Sequence, residues 1–194
     1  NIAPFPENAK ELCDFVHRVY NSENDRIAAL DTNERATWTS KIITVYGAKG
    51  GLGKTTIATN LALMLAKQKK KVAILDLDLL FGDVHIFMDV EPKETISDLM
   101  QESFSNNIDS IRAFMTVHPS GIHILCAPKT PEYAETVSGD RIQSLLALLR
   151  SYYDYIVIDT AVNFSDPTLA ALEASTLVLL VTGLDISTLK NSKI

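Results

Sequence analysis

The chain has 194 residues, 46% of them hydrophobic and 22% charged, an ordinary globular composition that excludes a disordered, collagen-like or disulfide-scaffold protein. Its formal charge of −6 lacks the footprint of a dedicated nucleic-acid binder, so no DNA partner is expected. Cys13 and Cys126 are the two cysteines. They are too few and too far apart for a disulfide framework or metal ribbon, and they suit a reducing cytosol as buried thiols.

In chain order, the stretch from Asn8 to Tyr20 places Leu12, Phe15, Val16, Val19 and Tyr20 on one helical stripe, which predicts a single amphipathic helix. Asn21 to Ser40 has the polar composition of a linker, with a domain boundary near residue 39. From Lys41 onward, short β-branched runs alternate with longer helical stretches, the mark of βαβ units and a mostly parallel sheet buried on both faces. The predicted strands are Ile42 to Tyr46, Val72 to Leu75, Ile122 to Ala127, Tyr155 to Ile158 and Thr176 to Val181. The predicted helices are Lys54 to Gln68, a weaker pair around Thr95 to Gln101 and Ile108 to Phe114, Arg141 to Tyr152, Pro167 to Ala174, and one opening near Asp185. No apolar run approaches the roughly 18 residues of a membrane span. A cytoplasmic protein is expected, with membrane association only through partners or segments outside this sequence.

Directly after the first strand comes Gly47-Ala48-Lys49-Gly50-Gly51-Leu52-Gly53-Lys54-Thr55-Thr56, followed by helical sequence. A nucleotide's phosphates need many donors converging on a compact anion. A glycine-rich turn lets successive backbone N–H groups point inward while the helix dipole adds positive potential. Lys54 can reach the β and γ phosphates, and the Thr55 hydroxyl can ligate Mg²⁺. The first glycine of the general G-x-x-x-x-G-K-[ST] pattern falls at residue 48, which is Ala, so the match is to a variant. The dinucleotide fingerprint fails because Thr56 stands where a third glycine is required, which disfavours a hydride-transfer enzyme. Ligands in open α/β sheets sit beyond the carboxyl ends of the strands, so Asp76, Asp78 and Asp159 are the candidate acids for Mg²⁺ and water.

The variant loop from Lys49 to Thr56 resembles the deviant Walker A loop of the MinD/ParA ATPases. The resemblance implies a P-loop NTPase fold, three-layer α/β/α with a mostly parallel sheet, binding ATP or ADP with Mg²⁺. It implies that Gly50, Gly51, Leu52, Gly53, Lys54, Thr55 and Thr56 surround the phosphates. It further implies that Lys49 reaches across a nucleotide-sandwiched homodimer to the partner's phosphates, a cation in trans of the kind that offsets developing phosphoryl charge. Asp76 and Asp78 resemble the family's switch I, where the second Asp orients the attacking water and the first supports the Mg²⁺ hydration shell. Asp159 resembles the Walker B Asp, which holds Mg²⁺ through a water. The family usually continues from that Asp as Thr-Pro-Pro, whereas this chain reads Thr160-Ala161-Val162. A less stiff switch II and slow hydrolysis are therefore expected.

Asp76 to Val84, Met88 to Leu99, Leu169 to Ala174, Val178 to Thr182 and Leu189 to Lys193 are similar to the CpaE/TadZ branch. That branch implies a positioning or assembly role for a Flp/Tad-type pilus secretion machine at the cell pole. Ala3-Pro4-Phe5 and the helix after it resemble the end of a receiver-like domain, with Ala3 where a working phosphoreceiver carries Lys. The domain expectation is thus 1–20 receiver remnant, 21–40 linker and 41–194 ATPase domain, C-terminally incomplete. Two alternatives stand beside the switch: a nucleotide-binding scaffold with little or no hydrolysis, and a ParA-like partition or MinD-like site-determining ATPase. Lys69-Lys70-Lys71 complements a helix dipole, and His17 with Cys13 or His123 with Cys126 falls short of the four ligands of a structural zinc site.

Overall fold

The computed structural model describes residues 40–102 and 107–192. The expected helix from Asn8 to Tyr20, the linker and the receiver-like segment lie outside the described residues, as do Cys13 and Trp38. Six strands form one sheet: β1 (Lys41–Tyr46), β2 (Val72–Leu77), β3 (Thr116–Val117), β4 (His123–Leu125), β5 (Tyr155–Thr160) and β6 (Leu177–Leu180). Their order is β3-β4-β2-β5-β1-β6, parallel throughout except for the β3-β4 pair. The helices are α1 (Lys54–Lys67), α2 (Val84–Phe87), α3 (Ile96–Gln101), α4 (Ile108–Arg112), α5 (Gly139–Leu149), α6 (Asp166–Ala174) and α7 (Ile186–Asn191), with a 3-10 turn at Pro131–Thr136. This is the expected three-layer α/β/α arrangement.

Burial explains why the central strands read as unbroken apolar runs. Every residue of β2 is buried, as are five of the six in β1 and in β5, which is what helices on both faces of a parallel sheet require. On one face Ile42, Leu75, Ile156 and Ile158 meet Leu99 of α3 and Ile142, Leu145 and Leu149 of α5. Burying such side chains is worth about 1.5–3 kcal/mol each. By contrast β6 alternates, with Val178 and Leu180 exposed.

The structure shifts several expected boundaries. β2 and β5 each run two residues beyond expectation, placing Asp76 and Asp159 inside the strands as cross-strand partners and not after them. β4 is shorter than Ile122 to Ala127 because Ile122 closes a turn, accepting from His118 N–H at 2.9 Å, with Gly121 in the left-handed region at φ 86°. That turn makes the β3-β4 hairpin. α5 begins at Gly139, two residues before the expected Arg141, and ends at Leu149, three before Tyr152.

Candidate functional site

The glycine-rich loop leaves β1 at Gly47, where a side chain would place its Cβ 2.7 Å from Val181 O. Gly51 and Gly53 take φ of 75° and 86°, the left-handed region that L side chains rarely adopt. Gly53 is the N-cap residue of α1; among the described residues no side chain caps the helix, and no acid stands in its first turn. The early N–H groups of a 14-residue helix therefore point out with their partial positive charge uncompensated, as an anion site requires. Lys54 opens the helix and is 8% exposed, its aliphatic stem lying against Gly47 at the root of the loop.

Opposite this loop lie the carboxylates. Asp159 is buried in β5, and among the described residues its Oδ1 has no hydrogen-bond partner. Burial pushes its carboxyl up to about 6, against the downward pull of the Thr55 hydroxyl and the Lys54 ammonium, with the Asp78 charge adding to the rise. A buried acceptor left idle beside a cation and a hydroxyl has the donor set that a hydrated Mg²⁺ would complete. Asp76 is also fully buried, and burial followed by the Asp159 charge raises its carboxyl well above the usual range. Its oxygens, however, are taken: Oδ1 accepts from Asp78 N–H and Oδ2 from Val84 N–H, each at 3.1 Å. Gly82 makes this possible, since a Cβ there would overlap Asp76 Oδ2 and Ala127. Asp78 is half-buried and its Oδ1 accepts from Phe81 N–H at 3.2 Å. Cys126 packs behind Asp76, its thiol pushed up to about 12 by burial and then by the Asp76 charge.

The structure thus brings Lys54, Thr55, Asp76, Asp78 and Asp159 together, while Gly50, Gly51, Leu52 and Gly53 form the loop before α1 and Thr56 lies in its first turn. Lys49 stands apart from this cluster. Its ammonium lies 3.4 Å from Asp185 Oδ1 and 3.3 Å from Ser187 Oγ, at the start of α7, where Asp185 caps the helix by accepting from Thr188 N–H and hydroxyl. The Ser187 hydroxyl also donates to Asp185 Oδ1, and these bonds, from Ser187 first and then Thr188, hold the Asp185 carboxyl well below the usual range. Asp185 was legible as a helix start, but nothing in the sequence pairs it with Lys49, 136 residues away. Nothing in the sequence marks Gly82 as the space behind Asp76 or Tyr46 as more than a strand residue.

A family model described as an AAA domain matches residues 40–191. The chain belongs to this AAA-domain family. The antiactivator FleN of Pseudomonas aeruginosa is 30% identical over 144 residues, covering 73% of this chain and 50% of FleN. Among solved structures, the septum site-determining protein MinD of Pyrococcus horikoshii, complexed with Mg-ADP, superposes with a TM-score of 0.68 at 23% identity over 78% of this chain and 61% of MinD. A ParA family ATPase of Chlorobium tepidum gives a TM-score of 0.73 at 22% identity over 78% of this chain and 64% of that one. These two likenesses show the fold. The AAA-domain chain spans about half the length of the curated relatives it matches. Among its described residues, no helix is long and apolar enough to cross a membrane.

Proposed function

We propose that this chain is an ATP-dependent dimerising switch with slow ATP hydrolysis. The observation that carries the reading is the pairing of an uncapped, glycine-hinged helix start at Lys54 with the idle buried oxygen of Asp159. In this reading the loop amides and Lys54 hold the phosphates of ATP or ADP, while Thr55 and Asp159 hold Mg²⁺, the latter through water. When bound, the cation supplies charge neutralisation on the β and γ phosphates. Asp76 shapes switch I and would support the metal's hydration only through the lone pairs that its two N–H contacts leave over, and Asp78 would orient the attacking water. Lys49 exchanges Asp185 for the partner's phosphates when two copies close face to face.

The biological role is positioning, in keeping with relatives named as an antiactivator and as septum site-determining proteins. The CpaE/TadZ-like stretches support a Flp/Tad-type pilus secretion machine at the cell pole as the object positioned, with its proteins as partners. A fluorescent fusion forming a polar focus, with surface pili lost when the gene is deleted, supports this. Uniform fluorescence and intact pili end it.

Binding, sedimentation and phosphate-release measurements on three variants test the switch. Lys54→Ala loses nucleotide, by about 100-fold or more in affinity, as expected for a charge-assisted contact to phosphate. Lys49→Ala keeps nucleotide and fails to dimerise, and Asp78→Ala dimerises with ATP without turning it over. Dimers independent of nucleotide, with unchanged turnover in Lys49→Ala, remove the sandwich mechanism. The scaffold reading rests on Ala161-Val162 in place of two prolines; tight nucleotide retention with background phosphate release favours it.

A further inference from the structure

Without prolines, the segment after Asp159 keeps soft dihedrals at every residue. Three contacts nevertheless tie it to the end of β1. Thr160 Oγ1 donates to Val45 O at 2.8 Å inside the protein. The Tyr46 hydroxyl donates to Val162 O at 3.3 Å. The Tyr46 ring stacks on Phe164, centroids 5.1 Å apart and planes 30° from parallel.

The two rings differ in how they are held. Tyr46 is 6% exposed, and its backbone is locked in the sheet, paired with Leu180 and accepting from Val181 N–H at 2.7 Å. Phe164 is 58% exposed. It is an apolar ring on the surface whose stacking partner is a rigid tyrosine. Tyr46 directly precedes Gly47, the root of the phosphate loop, while Val162 and Phe164 follow Asp159 by three and five residues. One side chain therefore joins the loop that holds phosphates to the segment that follows the metal-holding acid.

We infer that Tyr46, with Phe164 stacked on it, is a positioning residue that holds the proline-free 160–165 segment in one arrangement. The strap stands on the contacts above. Its effect on turnover rests on the proposed nucleotide chemistry. A stacked ring and a hydroxyl-to-carbonyl bond hold the segment without fixing any φ, so the hold can be released and remade as the phosphate loop fills and empties.

Tyr46→Phe keeps the ring and removes only the hydroxyl; Phe164→Ala removes the stack. In the full chain without nucleotide, amide hydrogen exchange at residues 160–165 is expected to quicken about three- to tenfold in Tyr46→Phe, the scale of one net hydrogen bond. It quickens further in the double variant, with cooperative unfolding retained in both. With ATP and Mg²⁺, kcat for phosphate release falls by a similar factor while nucleotide affinity stays within about twofold. Adding Ala161→Pro and Val162→Pro to Tyr46→Phe restores kcat, a rescue that loss of packing alone does not allow. Unchanged exchange at 160–165 in both variants overturns the strap. Faster exchange with unchanged kcat overturns the positioning role. A wild-type chain that releases no phosphate, with exchange responding as described, contradicts the proposed hydrolysis and leaves the strap intact.

Discussion

The ends of β2 and β5 carry the same residue at the same height, Asp76 opposite Asp159, both buried. Their surroundings differ. Asp76 accepts from two backbone N–H groups of the loop that follows it, and Gly82 leaves the space for that loop to fold back. Asp159 keeps one oxygen idle beside Lys54 and Thr55. A carboxylate whose oxygens are occupied by its own loop builds that loop, whereas one with unused acceptor capacity is placed for a ligand. Identical residue type and identical position in the sheet do not imply identical work.

The largest expected effect comes from Asp159. Its carboxyl sits at about 6 in the folded chain against an ordinary 3.8, so the folded state keeps the proton longer than the unfolded one. Sign and window follow: this contribution favours the folded state most below about pH 4 and is lost as pH rises to about 6, to the extent of about 3 kcal/mol. Urea unfolding of the ligand-free chain across that window, compared between wild type and Asp159→Asn because the raised carboxyl of Asp76 contributes in both, measures it. Asp159→Asn should flatten this fall and raise ligand-free stability at pH 7.5 by about 2 kcal/mol, while losing the Mg²⁺-dependent part of nucleotide binding. A variant less stable than wild type at that pH breaks the comparison.

Asp76→Ala should act in the opposite direction. It leaves the N–H groups of Asp78 and Val84 unpaired in the interior and should cost about 2 kcal/mol in the same unfolding experiment. A neutral or stabilising result assigns both acids to one class. The smallest effect belongs to Asp185→Asn, which weakens the exposed contact holding Lys49. Exposed ion pairs contribute little, so the ATP concentration needed for half-maximal dimerisation should fall by no more than about threefold, read by sedimentation. A rise in that concentration shows that Asp185 assists closure.

Much of this was legible in the sequence, for physical reasons that can be named. The Gly-Lys-Thr ending after a β-branched run located the phosphate loop, because few other chemistries need glycines, a lysine and a hydroxyl at that spacing. β1, β2 and β5 showed as apolar runs because both faces of the sheet are covered. The helix expected around Thr95 to Gln101 is α3, whose start carries both halves of a capping box between Thr95 and Asp98. β3 and α2, at two and four residues, and the 3-10 turn at Pro131–Thr136 are too short for any periodicity. The extra strand residues at Asp76 and Asp159 escaped because polar residues ending an apolar run read as turns. The Tyr46 strap and the Lys49–Asp185 contact join positions more than 100 residues apart, and only folding brings them together. The division of labour between Asp76 and Asp159 depends on which backbone N–H groups the following loops present, which residue type does not reveal.

Titration of the full chain with a fluorescent ATP analogue, with and without Mg²⁺, tests the central claim most directly. The account predicts saturable binding of one nucleotide per chain, strengthened by Mg²⁺ in wild type, no longer strengthened in Asp159→Asn, and lost in Lys54→Ala. Absence of saturable binding at millimolar analogue and Mg²⁺, or binding indifferent to Lys54→Ala, contradicts it.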